Sequence, residues 1–288
     1  MEIFATGPSF RDNGAVAGKG AIVEQLRVIP RSAPDLRDRD PGMRLGSISK
    51  PEGEERLAVL VERLGLLHNR LFAESTRSLL VVLQGMDASG KDGTIRHVLT
   101  GVSPQGCRVI SFQAPTDVEL AHDYLWRVHR ACPARGEMAI FNRSHYEDVV
   151  AVRVRGLVDK HIWRRRYAQI CAFERTLSEE GTAIVKIFLH VSRAAQARRL
   201  QERLDNPEKN WKFSPSDLDD RQRFDDFIAA YDDAIAKTST EQAPWFVVPA
   251  DHNWVRNLAV AEILVATLER LDPRLPAANP QLRGVTIT

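Results

Sequence analysis

Leu79-Leu-Val-Val-Leu-Gln-Gly85-Met-Asp87-Ala-Ser-Gly90-Lys91-Asp92-Gly93-Thr94 is the stretch on which the reading of this chain turns. An apolar run of strand character leads into G-x-x-x-x-G-K, and a helical pattern follows; this is the context a phosphate-binding P-loop requires. Gly85 and Gly90 permit backbone turns that aim successive N–H groups at one anion. The helix beginning near Lys91 presents its positive end to the same anion, and Lys91 adds a mobile point charge. Ala88, Ser89, Gly93 and Thr94 complete the cradle. Two residues depart from the usual pattern. Asp92 stands where a Ser or Thr hydroxyl normally meets Mg²⁺; its carboxylate could reach a metal through water or point away. Asp87 lies inside the cradle, where a carboxylate repels phosphate unless a metal ion or a proton intervenes. A turn residue bonded to its own backbone is the bland alternative, but Asn would serve a turn without the repulsion. Asp87 therefore points to Mg²⁺ binding or to contact with an incoming phosphate.

Outward from this loop the texture is alternating. Short, apolar, often β-branched runs at 79–84, 107–112, 138–141, 183–191 and 245–248 suit strands buried on both faces of a parallel sheet. Helical patterns fall at 91–99, 118–129, 160–180, 193–204, 217–238 and 254–271. Such alternation predicts an α/β fold with a doubly wound, parallel five-stranded sheet. Upstream, Leu57, Leu60, Val61, Leu64, Leu67 and Leu71 form one apolar stripe, a helix over 52–73 that starts after Ser49 and Pro51. That helix could serve an interface or cap the sheet. Residues 1–48, rich in Gly, Pro, Arg and Asp, read as an arm lying on the body or on a partner subunit. Residues 49–272 read as the P-loop domain and 273–288 as a tail.

The third strand ends in Ile140-Phe141-Asn142-Arg143-Ser144-His145-Tyr146-Glu147-Asp148. Ligands of open α/β sheets bind at the carboxyl ends of strands, which favours ligand or metal contact for Arg143. Asn142 occupies the slot where P-loop enzymes usually place a metal-holding Asp. Glu147 and Asp148 could line the site or start a helix as a pair that counters its dipole. Further on, Arg198, Arg199 and Arg203 include at least two on one helix face. The loop that follows bears Lys209, Trp211 and Lys212, so residues 198–216 predict a positively charged lid that closes over phosphates and excludes water. The alternative is a solvated basic face. Arg164, Arg165 and Arg166 read as surface charge, though a polyanion track could use them.

Composition limits the classes. The 288 residues are 43% apolar and 27% charged with a net charge of +2, ordinary for a globular protein and no argument for nucleic-acid binding. Cys107, Cys132 and Cys171 match no metal spacing and read as buried reduced thiols, and the eight histidines show no ligand pattern. The first residues lack a basic segment followed by an apolar run, and no stretch approaches the roughly 18 apolar residues of a membrane span. A cytoplasmic protein is expected.

Four motifs in order carry a resemblance. Gly85-Met-Asp-Ala-Ser-Gly-Lys-Asp-Gly93, Ala121-His-Asp-Tyr-Leu-Trp-Arg127, Phe141-Asn-Arg-Ser-His-Tyr-Glu-Asp148 and Asp205-Asn-Pro-Glu-Lys-Asn-Trp-Lys212 together resemble the polyphosphate kinase 2 family, from about residue 45 to 272. The resemblance implies a P-loop kinase-like fold akin to thymidylate kinase, with a helical lid. It also implies transfer of the terminal phosphoryl group between inorganic polyphosphate and nucleotides. Members with Phe-Asp-Arg-Ser mostly act on nucleoside diphosphates. Asn142, with His145 and Glu147-Asp148, is similar instead to the class that accepts both AMP and ADP. By the same resemblance Asp87 would coordinate Mg²⁺ (Mn²⁺ substituting) and orient the attacking phosphate. Lys91 would grip the transferring phosphoryl, and Arg143 would stabilise charge in transit. Lys209 and Lys212 would act from the lid, with Arg198, Arg199 and Arg203 as helpers and Asn142 as a further metal contact. Adenine and guanine nucleotides and a homodimer or homotetramer are implied; nucleic acid and membrane are not. The competing readings are an ATP-dependent nucleotide or nucleoside kinase of the same fold, and a non-catalytic phosphate-binding protein.

Overall fold

The computed structural model describes residues 20–282, 285 and 286, apart from the side chains of Lys212 and Leu282. Five parallel strands, β1 (Ser78–Gly85), β2 (Cys107–Ser111), β3 (Met138–Asn142), β4 (Thr182–His190) and β5 (Trp245–Pro249), form one sheet in the order β2-β3-β1-β4-β5. The helices are α1 (Gly20–Leu26), α2 (Lys50–Glu74), α3 (Lys91–Val98), α4 (Asp117–Leu120), α5 (Trp126–Ala131), α6 (Ala151–Val154), α7 (Lys160–Glu179), α8 (Arg193–Asp205), α9 (Pro215–Gln222), α10 (Phe224–Thr238) and α11 (Asn253–Leu271). Helices α2, α3 and α11 pack together on one face of the sheet, and α6, α7 and α10 on the other. This is the doubly wound α/β sheet that the alternation predicts, and all five expected strands are present.

Continuous apolar runs are needed because the central strands have helices on both sides. Every residue of β1 is buried. Helix α2 starts at Ser49, whose backbone N–H donates to the Glu52 carboxylate at 2.9 Å, with Pro51 in its first turn. It buries Leu64, Leu67 and Leu71, each contributing roughly 1.5–3 kcal/mol. Gly53 lets α2 meet Trp254 of α11, because a Cβ there would lie 2.6 Å from the indole. So the apolar stripe packs on α11, leaving Val59 and Leu66 exposed.

Two helical expectations are corrected. The pattern over 118–129 is two short helices, because Asp123 turns its carboxylate onto the N–H of Leu125 (2.9 Å) and breaks the backbone ladder between α4 and α5. The pattern over 217–238 divides at Arg223 into α9 and α10, and α9 begins at Pro215 behind the cap residue Ser214. The thiols also differ from expectation: all three are free and half-buried rather than buried, and burial pushes Cys107 up to about 11 and Cys132 to about 12.

Residues 20–48 lie against the body. Leu26, Val28, Leu36 and Leu45 are buried, Val28 donates its N–H to Trp245 O at 2.9 Å, and Leu36 N–H reaches Asp232 Oδ1 at 2.9 Å. The arm's first 19 residues lie outside the described residues. No helix among the described residues is long and apolar enough to cross a membrane.

Candidate active site

The P-loop stands at the carboxyl end of the central strand. Gly85 has φ +155° and Gly90 +102°. A Cβ at Gly90 would lie 2.0 Å from Arg256 Nη1, and one at Gly85 2.6 Å from Ser89 Oγ, so space as well as conformation demands glycine. Ala88, at φ +61°, completes the curl. Lys91, 8% exposed, folds back along the loop and donates from Nζ to Gly85 O at 2.7 Å and Met86 O at 3.2 Å. Burial and the nearby Arg143 push its ammonium down to about 8, against the attraction of Asp87, Glu147 and Asp92.

Parallel pairing sets the neighbouring strand against this loop. Leu83 of β1 lies opposite Asn142 of β3, and Arg143 donates its N–H to Leu83 O at 3.1 Å. Arg143 takes a left-handed conformation, φ +62°, that turns its side chain toward the loop, where its Nη2 donates to Asp87 Oδ1. Burial alone would raise the Asp87 carboxyl, but Arg143, Lys91, Arg203 and Arg155 outweigh it and hold Asp87 below the usual range. Asp87 is therefore a half-buried anion ringed by cations. Asn142 goes elsewhere: its Nδ2 donates to Asp92 Oδ1 at 3.0 Å and to Ser111 Oγ at 3.4 Å. Glu147 rides on a 3-10 turn, His145–Asp148; burial raises its carboxyl, with Arg143 and Lys91 opposing.

Asp87, Arg143 and Glu147 face a pocket whose other walls include Arg155 of the α6 end, Asp220 of α9 and Tyr231 of α10. Arg155 and Asp220 pair through two bonds, Nε to Oδ1 at 3.1 Å and Nη2 to Oδ2 at 2.5 Å. Behind the pocket a fully buried cluster anchors the 3-10 turn. Lys186 Nζ donates to Glu174 Oε2 at 2.5 Å, to Tyr146 OH at 3.0 Å and to Thr238 O at 2.7 Å. Tyr146 in turn donates to Glu174 Oε1 at 2.7 Å, with the His145 ring 3.3 Å from the same oxygen.

The basic helix after β4 divides its arginines. Arg203 comes within 4.0 Å of Asp217 and acts on Asp87. Arg199 sits under the loop, with Nη1 on Ala88 O (3.1 Å) and Ser89 O (3.3 Å) and Nη2 on Ala250 O (2.6 Å) and Asp251 O (3.0 Å). Arg198 stands on the exposed face, 3.9 Å from Glu202. Lys209 is exposed in the segment after α8, and the Lys212 side chain lies outside the described residues. The structure thus gathers residues 85–94, Asn142, Arg143, Glu147, Arg199 and Arg203 about one site, and leaves Arg198 and Lys209 outside it. Sequence reasoning missed Arg155, Asp220, Tyr231 and Arg256, which belong to no local motif. Lys186 did carry a signal, a lone charge inside an apolar strand.

A model of the family described as Polyphosphate kinase 2 matches residues 47–276. The chain belongs to the polyphosphate kinase 2 family. Among members of known sequence, an AMP/ADP-polyphosphate phosphotransferase of Meiothermus ruber is 53% identical over 92% of this chain and 100% of its own length. An ADP-polyphosphate phosphotransferase of Rhodopseudomonas palustris is 44% identical over 82% of this chain and 86% of its own. The crystal structure of Polyphosphate Kinase 2 from Arthrobacter aurescens superposes with a TM-score of 0.87 at 43% identity, covering 92% of this chain and 95% of that one. The five-stranded P-loop kinase-like architecture is thus the polyphosphate kinase 2 fold, with Lys91, Asp87 and Arg143 at its centre.

Proposed function

We propose that this enzyme transfers the terminal phosphoryl group between inorganic polyphosphate and nucleotides in the cytoplasm, converting AMP to ADP and ADP to ATP. One observation carries the reading: the ionised Asp87 is paired with Arg143 beside the P-loop lysine, in the wall of a pocket that Arg155 also lines. The activities named for the Meiothermus and Rhodopseudomonas relatives support polyphosphate as the donor, and the first supports both acceptors.

Donor and acceptor are both polyanions, so the obstacle is their mutual repulsion. Cations already in place lower it, and in a loose in-line transfer positioning contributes most. The donor chain lies on the N–H groups of residues 85–94. Lys91 exchanges its carbonyl partners for a phosphate oxygen, which returns its ammonium to full charge. The acceptor phosphate, ionised at neutral pH, needs no general base. It enters the pocket beside Arg143, with Arg203 and the lid lysines, Lys209 and Lys212, closing over it to exclude water.

The donor set fits Mg²⁺. Mg²⁺ is commonly held by one or two carboxylates together with substrate phosphates. Asp87 and Glu147 are the carboxylates that would hold it. When bound, Mg²⁺ neutralises charge on the phosphates that meet there. Supplying polyphosphate with AMP and, separately, with ADP tests the proposal. Product from both acceptors is expected. ATP formed from ADP alone, with AMP inert, would overturn the dual-acceptor reading.

A further inference from the structure

Arg256, near the start of α11, is 3% exposed, and its guanidinium is pressed against the back of the phosphate loop. A Cβ at Gly90 would come within 2.0 Å of its Nη1, and one at Gly93 within 3.3 Å of its Nη2. The two glycines therefore let this cation approach the loop backbone. Its hydrogen bonds go to side-chain amides: Nη1 to Asn253 Oδ1 at 2.7 Å, and Nε and Nη2 to Asn257 Oδ1 at 3.2 and 2.9 Å. Among the described residues it forms no ion pair, and its charged neighbour is another cation, Arg199. Burial and that repulsion lower it to about 10, so it remains protonated at neutral pH. A buried guanidinium ordinarily has a carboxylate beside it. Here amides satisfy the donors and leave the charge uncompensated.

We propose that Arg256 is a positioning charge for the donor: the phosphate chain held on the far side of residues 85–94 is the counter-ion that its guanidinium lacks within the protein. Its field reaches the anion through the loop backbone and adds to that of Lys91 and the α3 N-terminus. The inference rests on the reading of this loop as the donor cradle. It has a consequence that a merely structural arginine lacks. The empty enzyme carries the cost of an unpaired buried charge and the loaded enzyme does not, so a counter-ion built into the protein stabilises the first and weakens donor binding.

Three variants test this, with long-chain polyphosphate as the probe. Each is followed by melting temperature without ligand and by KM and kcat with ADP as acceptor. Asn257→Asp places a carboxylate beside the guanidinium with little change of shape. It is expected to melt about 3 °C above wild type and to raise the polyphosphate KM about tenfold, with kcat within about twofold. Arg256→Met should raise KM to a similar degree, whereas Arg256→Lys, which keeps a charge, should stay within about threefold of wild type. An unchanged polyphosphate KM in Asn257→Asp and Arg256→Met, while wild type turns over polyphosphate, overturns the role of Arg256 alone. Absence of polyphosphate turnover in wild type overturns the donor reading and this inference with it.

Discussion

Asp87 of the P-loop and Arg143 at the end of β3 are joined by a direct ion pair, made across the pocket floor by a left-handed turn at Arg143. In the proposed mechanism the pair fixes an anion where two substrate phosphates would meet. Asp87→Asn keeps the shape and a hydrogen bond but removes the charge. It is expected to lower kcat by about a thousandfold, the scale of losing one preorganised electrostatic group, with a melting temperature close to wild type. Lost activity together with a large fall in melting temperature would assign Asp87 a structural role.

Lys91 gives the site a pH dependence. In the free enzyme its ammonium is lowered to about 8 by burial and Arg143, and in the proposed mechanism the protonated form is the one that grips phosphate. Below about pH 8, kcat/KM for polyphosphate should be flat with respect to this group. Above it the value should fall about tenfold per pH unit as the charge is lost. A profile flat to pH 9.5 would contradict a requirement for charged Lys91 in the free enzyme.

Much of this was legible in the sequence, for physical reasons. A cradle made by consecutive N–H groups must be a contiguous string, and a strand buried on both faces must be apolar, so residues 79–94 and the five strands read correctly. The placement of Asn142 and Arg143 was legible because they stand at the end of a strand that finishes beside the loop. The pocket's far wall was not found, since Arg155, Asp220 and Tyr231 come from three helices that only the tertiary fold brings together. Arg256 was hidden in a helix whose apolar face dominates its pattern. The break at Asp123 was missed because a single side chain to backbone bond outweighs helical periodicity.

The buried cluster behind the pocket should be costly to divide. Lys186→Met leaves the Glu174 carboxylate buried with its ammonium partner gone, which predicts a loss of about 3–5 kcal/mol in urea unfolding. Adding Glu174→Gln should recover part of that loss, since the uncompensated charge is then removed. A loss below about 1 kcal/mol for Lys186→Met would mean that the carboxylate finds water or protonates freely.

Two glycines with positive φ separate conformation from space. Gly156, at φ +68°, has nothing within 4 Å of an added Cβ, whereas at Gly90 that atom meets Arg256. Gly156→Ala should cost about 1 kcal/mol and leave turnover intact. Gly90→Ala should abolish polyphosphate-dependent turnover. Equal loss of activity in both would show that loop geometry is not what Gly90 protects.

The most direct test concerns the donor. Purified protein is mixed with AMP, Mg²⁺ and long-chain polyphosphate in the absence of ATP, and the nucleotides are followed by chromatography. ADP appearing first and ATP after it is the result expected of a polyphosphate-driven enzyme that accepts both nucleotides. No product under these conditions, with ADP formed only when ATP is supplied as donor, would contradict it and leave an ordinary nucleotide kinase.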